Sequence, residues 1–209
     1  MKLTKKEPTA AGQMMFASLA MQFNLKDEHP QLRKSVLQEI EKWIKKAPGI
    51  TRSNMGGWHS KTTHTGPLGK LTKIIAEEYA PIYGKAMGWQ LKDRKFFSEG
   101  GAWANVNPQG GSNNTHVHGN CVLAACYYVQ THGADHGGAL VFCDPRPGAV
   151  QYHPLIKEPN YINAQNIERF PNDHDLLLFP GWLPHRVALN KSKKRRISVA
   201  VNFNVGIIK

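Results

Sequence analysis

Two rhythms of apolar spacing divide the chain. Up to about residue 94 the apolar positions recur every three or four residues, the period of a helix that buries one face. Leu32, Val36, Leu37, Ile40, Trp43 and Ile44 form one such stripe. They predict a helix over 30–46, ended by Pro48-Gly49. Leu71, Ile74, Ile75, Tyr79, Ile82 and Tyr83 form a second stripe and predict a helix over about 68–87. Pro81 lies inside that stretch and predicts a kink, or two helices end to end. Residues 50–66 follow neither rhythm and read as loop. From Phe96 onward the texture changes to short β-rich runs separated by Gly, Pro and Asn. Strands are expected at 102–107, 115–118, 121–130, 139–143, 175–179, 185–188 and 196–205. The Pro- and Asn-rich excursion at 144–172 is left over, a length that often serves as a lid or a substrate wall.

The class that follows is α+β and mainly β, with N-terminal helices supporting a β core. The 209 residues fit one domain by size, with 1–94 as helical support and loops and 95–209 as the core. Hydrophobic content of 41% with 20% charged residues excludes the composition of a disordered chain. No apolar run is long enough to cross a bilayer. Lys2, Lys5 and Lys6 followed by the apolar run from Met14 to Met21 imitate a signal peptide, but no small-residue cleavage site follows, so the run is expected to belong to the fold. Cys121, Cys126 and Cys143 fall in predicted strands without metal or redox spacing. They are expected as small buried hydrophobes, and an odd count fits a reducing compartment, which points to the cytoplasm.

Charge adds one possibility. The net charge of +12 would attract nucleic acid or an acidic partner. No groove-entering helix or aromatic stacking pattern accompanies it, and the run from Lys191 to Arg196 reads as a solvated hairpin tip. Arg196 stands apart from that tip, because Arg195 and Arg196 must point to opposite sides of a strand.

The chemistry concentrates in three stretches. On a strand, residues two apart share a face, so His116 and His118 would project together and could hold one metal ion. His185, on a later strand, is the candidate third ligand, completing a facial set with open positions. Eleven residues on, Arg196 and Ser198 place a guanidinium fork and a hydroxyl on one face, a pair suited to a carboxylate. Asn105 and Asn107 share a face of the 102–107 strand, where either could contact a cosubstrate or line a substrate channel. Asp144-Pro145-Arg146 follows a strand end, where a turn and ion pair suffice, and Arg146 is an outside candidate for substrate contact.

The ordered set Asn114-Thr115-His116-Val117-His118, then Leu178-Phe179-Pro180-Gly181-Trp182-Leu183-Pro184-His185, then Arg196-Ile197-Ser198 resembles the iron(II)- and 2-oxoglutarate-dependent oxygenases. Gly57-Trp58-His59-Ser60, Tyr127-Tyr128-Val129 and the stretch from Gly138 to Arg146 make the chain similar to a bacterial and phage branch of them. Tyr127-Tyr128 followed by Gly137-Gly138 resembles prolyl hydroxylases. The likeness covers roughly residues 95–209.

It implies a double-stranded β-helix (jelly-roll) core and Fe(II), 2-oxoglutarate and O2 as cofactor and cosubstrates. It further implies His116, His118 and His185 at the metal, and Arg196, Ser198, Tyr128 and Asn105 at the cosubstrate. Trp58 would border the site beside the substrate. The wider superfamily has Asp or Glu where this chain has His118. His118 could therefore bind the metal, or stand behind a water, or yield to a carboxylate such as Asp144. The expected reaction is hydroxylation of an unidentified small molecule, peptide or protein, with release of succinate and CO2. Two rivals remain at this stage: a cupin-like three-His metal oxygenase without 2-oxoglutarate, and a non-catalytic basic β-barrel binding module.

Overall fold

The computed structural model describes residues 11–12, 14–151 and 154–207; Lys2, Lys5 and Lys6 lie outside them. Two antiparallel sheets face one another. The larger carries β1 (Met21–Asn24), β10 (Asp175–Pro180), β7 (Leu123–Gln130), β12 (Arg196–Ile207), β5 (Ala102–Asn107) and β3 (Trp58–His59) in that order, with β4 (Arg94–Phe97) on the far end of β12. The smaller runs β2 (Asn54–Met55), β6 (Ser112–His116), β11 (His185–Val187), β8 (Leu140–Cys143), β9 (Asn166–Arg169). This is the expected double-stranded β-helix core.

Alternation along the larger sheet builds two separate cores. On β12, Ile197, Val199, Val201 and Phe203 face outward onto α1 (Leu32–Lys46), α2 (Gly66–Ile74) and α3 (Ala80–Ala86). On β7, Tyr127 joins that outer layer, while Tyr128 joins Phe142, Leu177 and Phe179 between the sheets. Strands buried on both faces read as near-continuous apolar runs. That is why β7 and β10 are among the clearest strands in the sequence.

The second helical stretch is continuous from Gly66 to Ala86, but its middle turn, Ile75–Tyr79, is a π-helix. A π turn inserts one extra residue, and Pro81, at the start of α3, lacks the N–H that a regular helix would need there. The extra residue rotates the buried face, so Ala80 and Gly84 are buried beside Tyr83, which the stripe anticipated, while Ile82, expected in that stripe, is 47% exposed. Residues 50–66, expected as loop, contribute β2 and β3. The 144–172 excursion contains a short helix, α4 (Pro147–Gln151), and β9. No helix among the described residues is long and apolar enough to cross a membrane.

Register delivers the chemistry to one place. His185 of β11 pairs directly with His116 of β6. Ser198 lies between Asn105 of β5 and Tyr128 of β7. The ladder slips between His185 and Val187 on one sheet and between Ile197 and Ser198 on the other. Such bulges re-aim side chains beside active sites.

Candidate active site

A cavity of about 880 Å³ opens between the sheets. His116, His118 and His185 line it, and one ring nitrogen from each lies within 4.8 Å of the other two. β6 ends at His116, so His118 is not on the strand expected to carry it. It is held past the strand end by its own backbone N–H, which donates to Gly181 O at 2.8 Å. The rings nevertheless converge, with centroids 4.4 Å apart for His116 and His185 and 5.0 Å for His118 and His185.

Hydrogen bonding fixes which nitrogen faces inward. His116 Nδ1 lies 2.7 Å from Asn114 O, and His185 Nδ1 lies 2.8 Å from Leu183 O. His118 Nδ1 meets Asn202 Oδ1. All three partners are carbonyl oxygens, which only accept, so each Nδ1 carries the proton and each Nε2 presents a lone pair. Burial lowers the His118 pKa to about 4 and the His185 pKa to about 3, opposed by these hydrogen bonds and reinforced by the neighbouring imidazoles. Both rings are therefore neutral at pH 7. His118 Nε2 and His185 Nε2 face each other at 3.1 Å. Two lone pairs at that separation repel unless a cation lies between them, and cis ligands about 2.1 Å from one ion sit about 3 Å apart. The three histidines form a donor set that could hold a divalent metal ion. Asp144 is not at this centre; its carboxylate is bound by Arg146 at 2.9 and 2.7 Å, beside a different cavity.

At the base of the cavity Arg196 is 3% exposed. Its Nε donates to Gly138 O at 2.8 Å and its Nη1 to Ser198 Oγ at 3.2 Å, and its Cζ lies 5.1 Å from the Tyr128 ring centroid. Gly138, at φ +72°, allows this approach, since a Cβ there would sit 3.1 Å from Arg196 Cδ. Arg196 Nη2 and the Tyr128 hydroxyl are buried without a hydrogen-bond partner among the described residues. Burial raises the Tyr128 phenol well above its ordinary range, which keeps it a neutral donor. A buried guanidinium without a counter-ion costs several kcal/mol, and its idle Nη2 together with the Tyr128 hydroxyl fits a carboxylate. Asn105 lines the same cavity.

The three expected substrate contacts fall elsewhere. Asn107 is buried with its amide on Ser112 O and Asn113 Oδ1, tying β5 to β6. Trp58 donates to Ala47 O at 3.0 Å and packs its loop from outside. Arg146, paired with Asp144, lines the second cavity, as do Tyr161, Ala164 and Ile167 of the excursion expected to wall the site. In their place the cavity holds Arg52, His59, Trp103 and Asn202. Alternation on β3 turns His59 inward where Trp58 turns out. Trp103 stacks between His59 and His118, with centroids 6.0 and 5.8 Å away. Burial lowers the His59 pKa, and the Arg52 charge lowers it further. The three cysteines are unpaired and half-buried, and Cys126 lines the cavity.

Comparison with known proteins agrees with this geometry. Residues 101–202 match the family described as "Putative 2OG-Fe(II) oxygenase". Among proteins of curated function none matches the sequence. Among solved structures, a Pseudomonas putida prolyl-4-hydroxylase is 13% identical, covers 88% of this chain and 91% of its own, and superposes with a TM-score of 0.58. A Trichoplax adhaerens prolyl hydroxylase in complex with a hypoxia inducible factor peptide gives 13%, 88%, 82% and 0.61. HygX from Streptomyces hygroscopicus, with nickel and 2-oxoglutarate bound, gives 11%, 88%, 82% and 0.58. The β core that carries the histidines and Arg196 is thus the part of the chain that is similar to the 2OG-Fe(II) oxygenases, and its fold is the one these solved structures share.

Proposed function

We propose that the chain hydroxylates its substrate at a centre where His116, His118 and His185 hold Fe(II) and Arg196 anchors 2-oxoglutarate. The observation that carries this reading is the Arg196 guanidinium, buried with a free Nη2 beside the free Tyr128 hydroxyl, on the same cavity as three converging Nε2 lone pairs. A three-His oxygenase without a keto acid gives that arginine nothing to neutralise. A binding module gives the lone pairs nothing to hold.

When bound, iron supplies the activation of O2 that is coupled to decarboxylation of 2-oxoglutarate to succinate and CO2. The chain's own residues do the rest. The three Nδ1–H groups lock the imidazoles in one tautomer and one orientation, so the lone pairs converge before metal arrives. Arg196 and Ser198 bind the far carboxylate, and the Tyr128 phenol donates to it without ionising. Asn105, beside Ser198, adds an amide to that end. Phe179, Leu140 and Val187 line the inner wall and limit water there. The prolyl hydroxylases among the structural neighbours make a peptide one substrate form to test.

An anaerobic titration of the Fe(II)-loaded protein with 2-oxoglutarate tests the assignment. Wild type should develop the visible metal-to-ligand charge-transfer band. His185→Ala should bind no iron and form no succinate. Arg196→Ala should keep iron but need about thirtyfold more 2-oxoglutarate or above, because losing one partner of a buried charged hydrogen-bonded pair costs about 2–5 kcal/mol. Succinate formation by His185→Ala at the wild-type rate would defeat the assignment. Bound iron with no band in wild type would favour the keto-acid-independent reading.

A further inference from the structure

The charge of the cavity says something about what enters it, on the footing of the proposed function. Every charged side chain on its described lining is a cation: Arg196 at the base and Arg52 at the rim. The remaining polar lining is made of hydroxyls, amides, imidazoles and the Cys126 thiol, and it includes no carboxylate. With three neutral ligands the metal would keep its full charge of +2. Arg196 adds +1 and 2-oxoglutarate brings −2, leaving +1, and Arg52 raises the total to +2. A cleft with that excess concentrates anions and disfavours cations.

Arg52 is also placed rather than loose at its backbone. Its N–H donates to Asn54 Oδ1 at 2.7 Å. The next residue is fastened to the metal-bearing strand β6, with Asn114 N donating to Ser53 O at 2.8 Å and Asn113 Nδ2 to Ser53 Oγ at 3.1 Å. The guanidinium is exposed at the mouth and forms no ion pair among the described residues. A planar fork of donors held there matches a carboxylate or a phosphate.

We propose that the substrate is an anion, a carboxylate or phosphate ester whose charged group binds Arg52 at the rim while the carbon to be oxidised lies beside the three histidines.

The test uses anaerobic protein loaded with Fe(II) and saturating 2-oxoglutarate, so that Arg196 is already occupied. Calorimetry measures binding of a panel of phosphate monoesters and carboxylates, each paired with its uncharged counterpart, to wild type, Arg52→Gln and Lys46→Gln. Lys46→Gln removes the same charge from the exposed end of α1. In wild type and Lys46→Gln, anionic members should bind at least tenfold more tightly than their neutral partners. Arg52→Gln should lose that preference while retaining the wild-type 2-oxoglutarate band. Tighter binding of the phosphate series or of the carboxylate series identifies the group. Neutral compounds binding as well as anions in wild type, no anion binding at all, or an unchanged preference in Arg52→Gln overturns the proposal. Absence of the band in wild type would instead remove the reading on which it rests.

Discussion

Asn202 orients, at the scale of one residue, the imidazole that stands where the wider superfamily has a carboxylate. With a neutral imidazole at position 118, the orientation of that ring rests on one side-chain carbonyl, Asn202 Oδ1, accepting from Nδ1–H. Asn202→Leu removes the acceptor and frees the ring to rotate. Metal affinity should fall about 10–100-fold, the usual cost of losing a group that holds a ligand in place. Asn202→Asp keeps an acceptor at the same distance and should retain tight binding. Calorimetric titration with Fe(II) under anaerobic conditions reads both. Wild-type affinity in the leucine variant would mean that the Gly181 and Trp103 contacts hold His118 unaided. Tyr128→Phe asks the complementary question at the other end of the cavity. It removes one neutral donor, worth about 1 kcal/mol, so the 2-oxoglutarate needed for half-saturation should rise about fivefold at unchanged metal affinity.

Among elements, β12 organises the site, and it was also the most legible. Its sequence alternates Arg196, Ser198, Ala200 and Asn202 on one face with Ile197, Val199, Val201 and Phe203 on the other. That pattern alone separates cavity from outer core. Following the face two residues past Ser198 and Ala200 reaches Asn202, a signal present in the sequence but unused. β2, β3 and β9 gave no such signal, because strands of two to four mostly polar residues carry too few apolar positions to show a period. His59 has no spacing that demands metal, Arg52 sits in a loop before β2 with no pattern to mark it, and Trp58 was placed beside the site by the resemblance of Gly57-Trp58-His59-Ser60 rather than by any period. The turn after β10 matters as much as any strand. A Cβ on Gly181 would sit 2.5 Å from Cys121 O and Sγ and 3.1 Å from His118 O. Backbone must then shift at the segment carrying His118. Gly181→Ala should lose metal affinity at least tenfold while keeping its β-sheet circular dichroism. Intact affinity would mean that the 118–121 turn yields without moving the ligand.

Across the whole molecule the two cores separate stability from chemistry. The outer core joins three helices to the back of the larger sheet, and His118 and His185 pack against Phe179 of the inner one. Ligand that binds only the folded state stabilises it by about 2.7 kcal/mol at one hundred times its Kd. For a chain of this size that is a rise of roughly 5–11 °C in Tm on adding Fe(II) anaerobically. His185→Ala should show no such rise. Ile40→Ala, which empties a fully buried position on α1, should lower Tm by the cost of about 2–5 kcal/mol, yet show the same iron-dependent rise as wild type, because distant, unshared sites add. The two variants form a pair of opposite signature under differential scanning calorimetry: one insensitive to metal near its original Tm, the other destabilised but fully responsive. A rise in Ile40→Ala smaller by half would mean that the helical layer sets the geometry of the histidines through the sheet. The fold would then act as one cooperative unit from α1 to the metal, and the helices would belong to the catalytic apparatus.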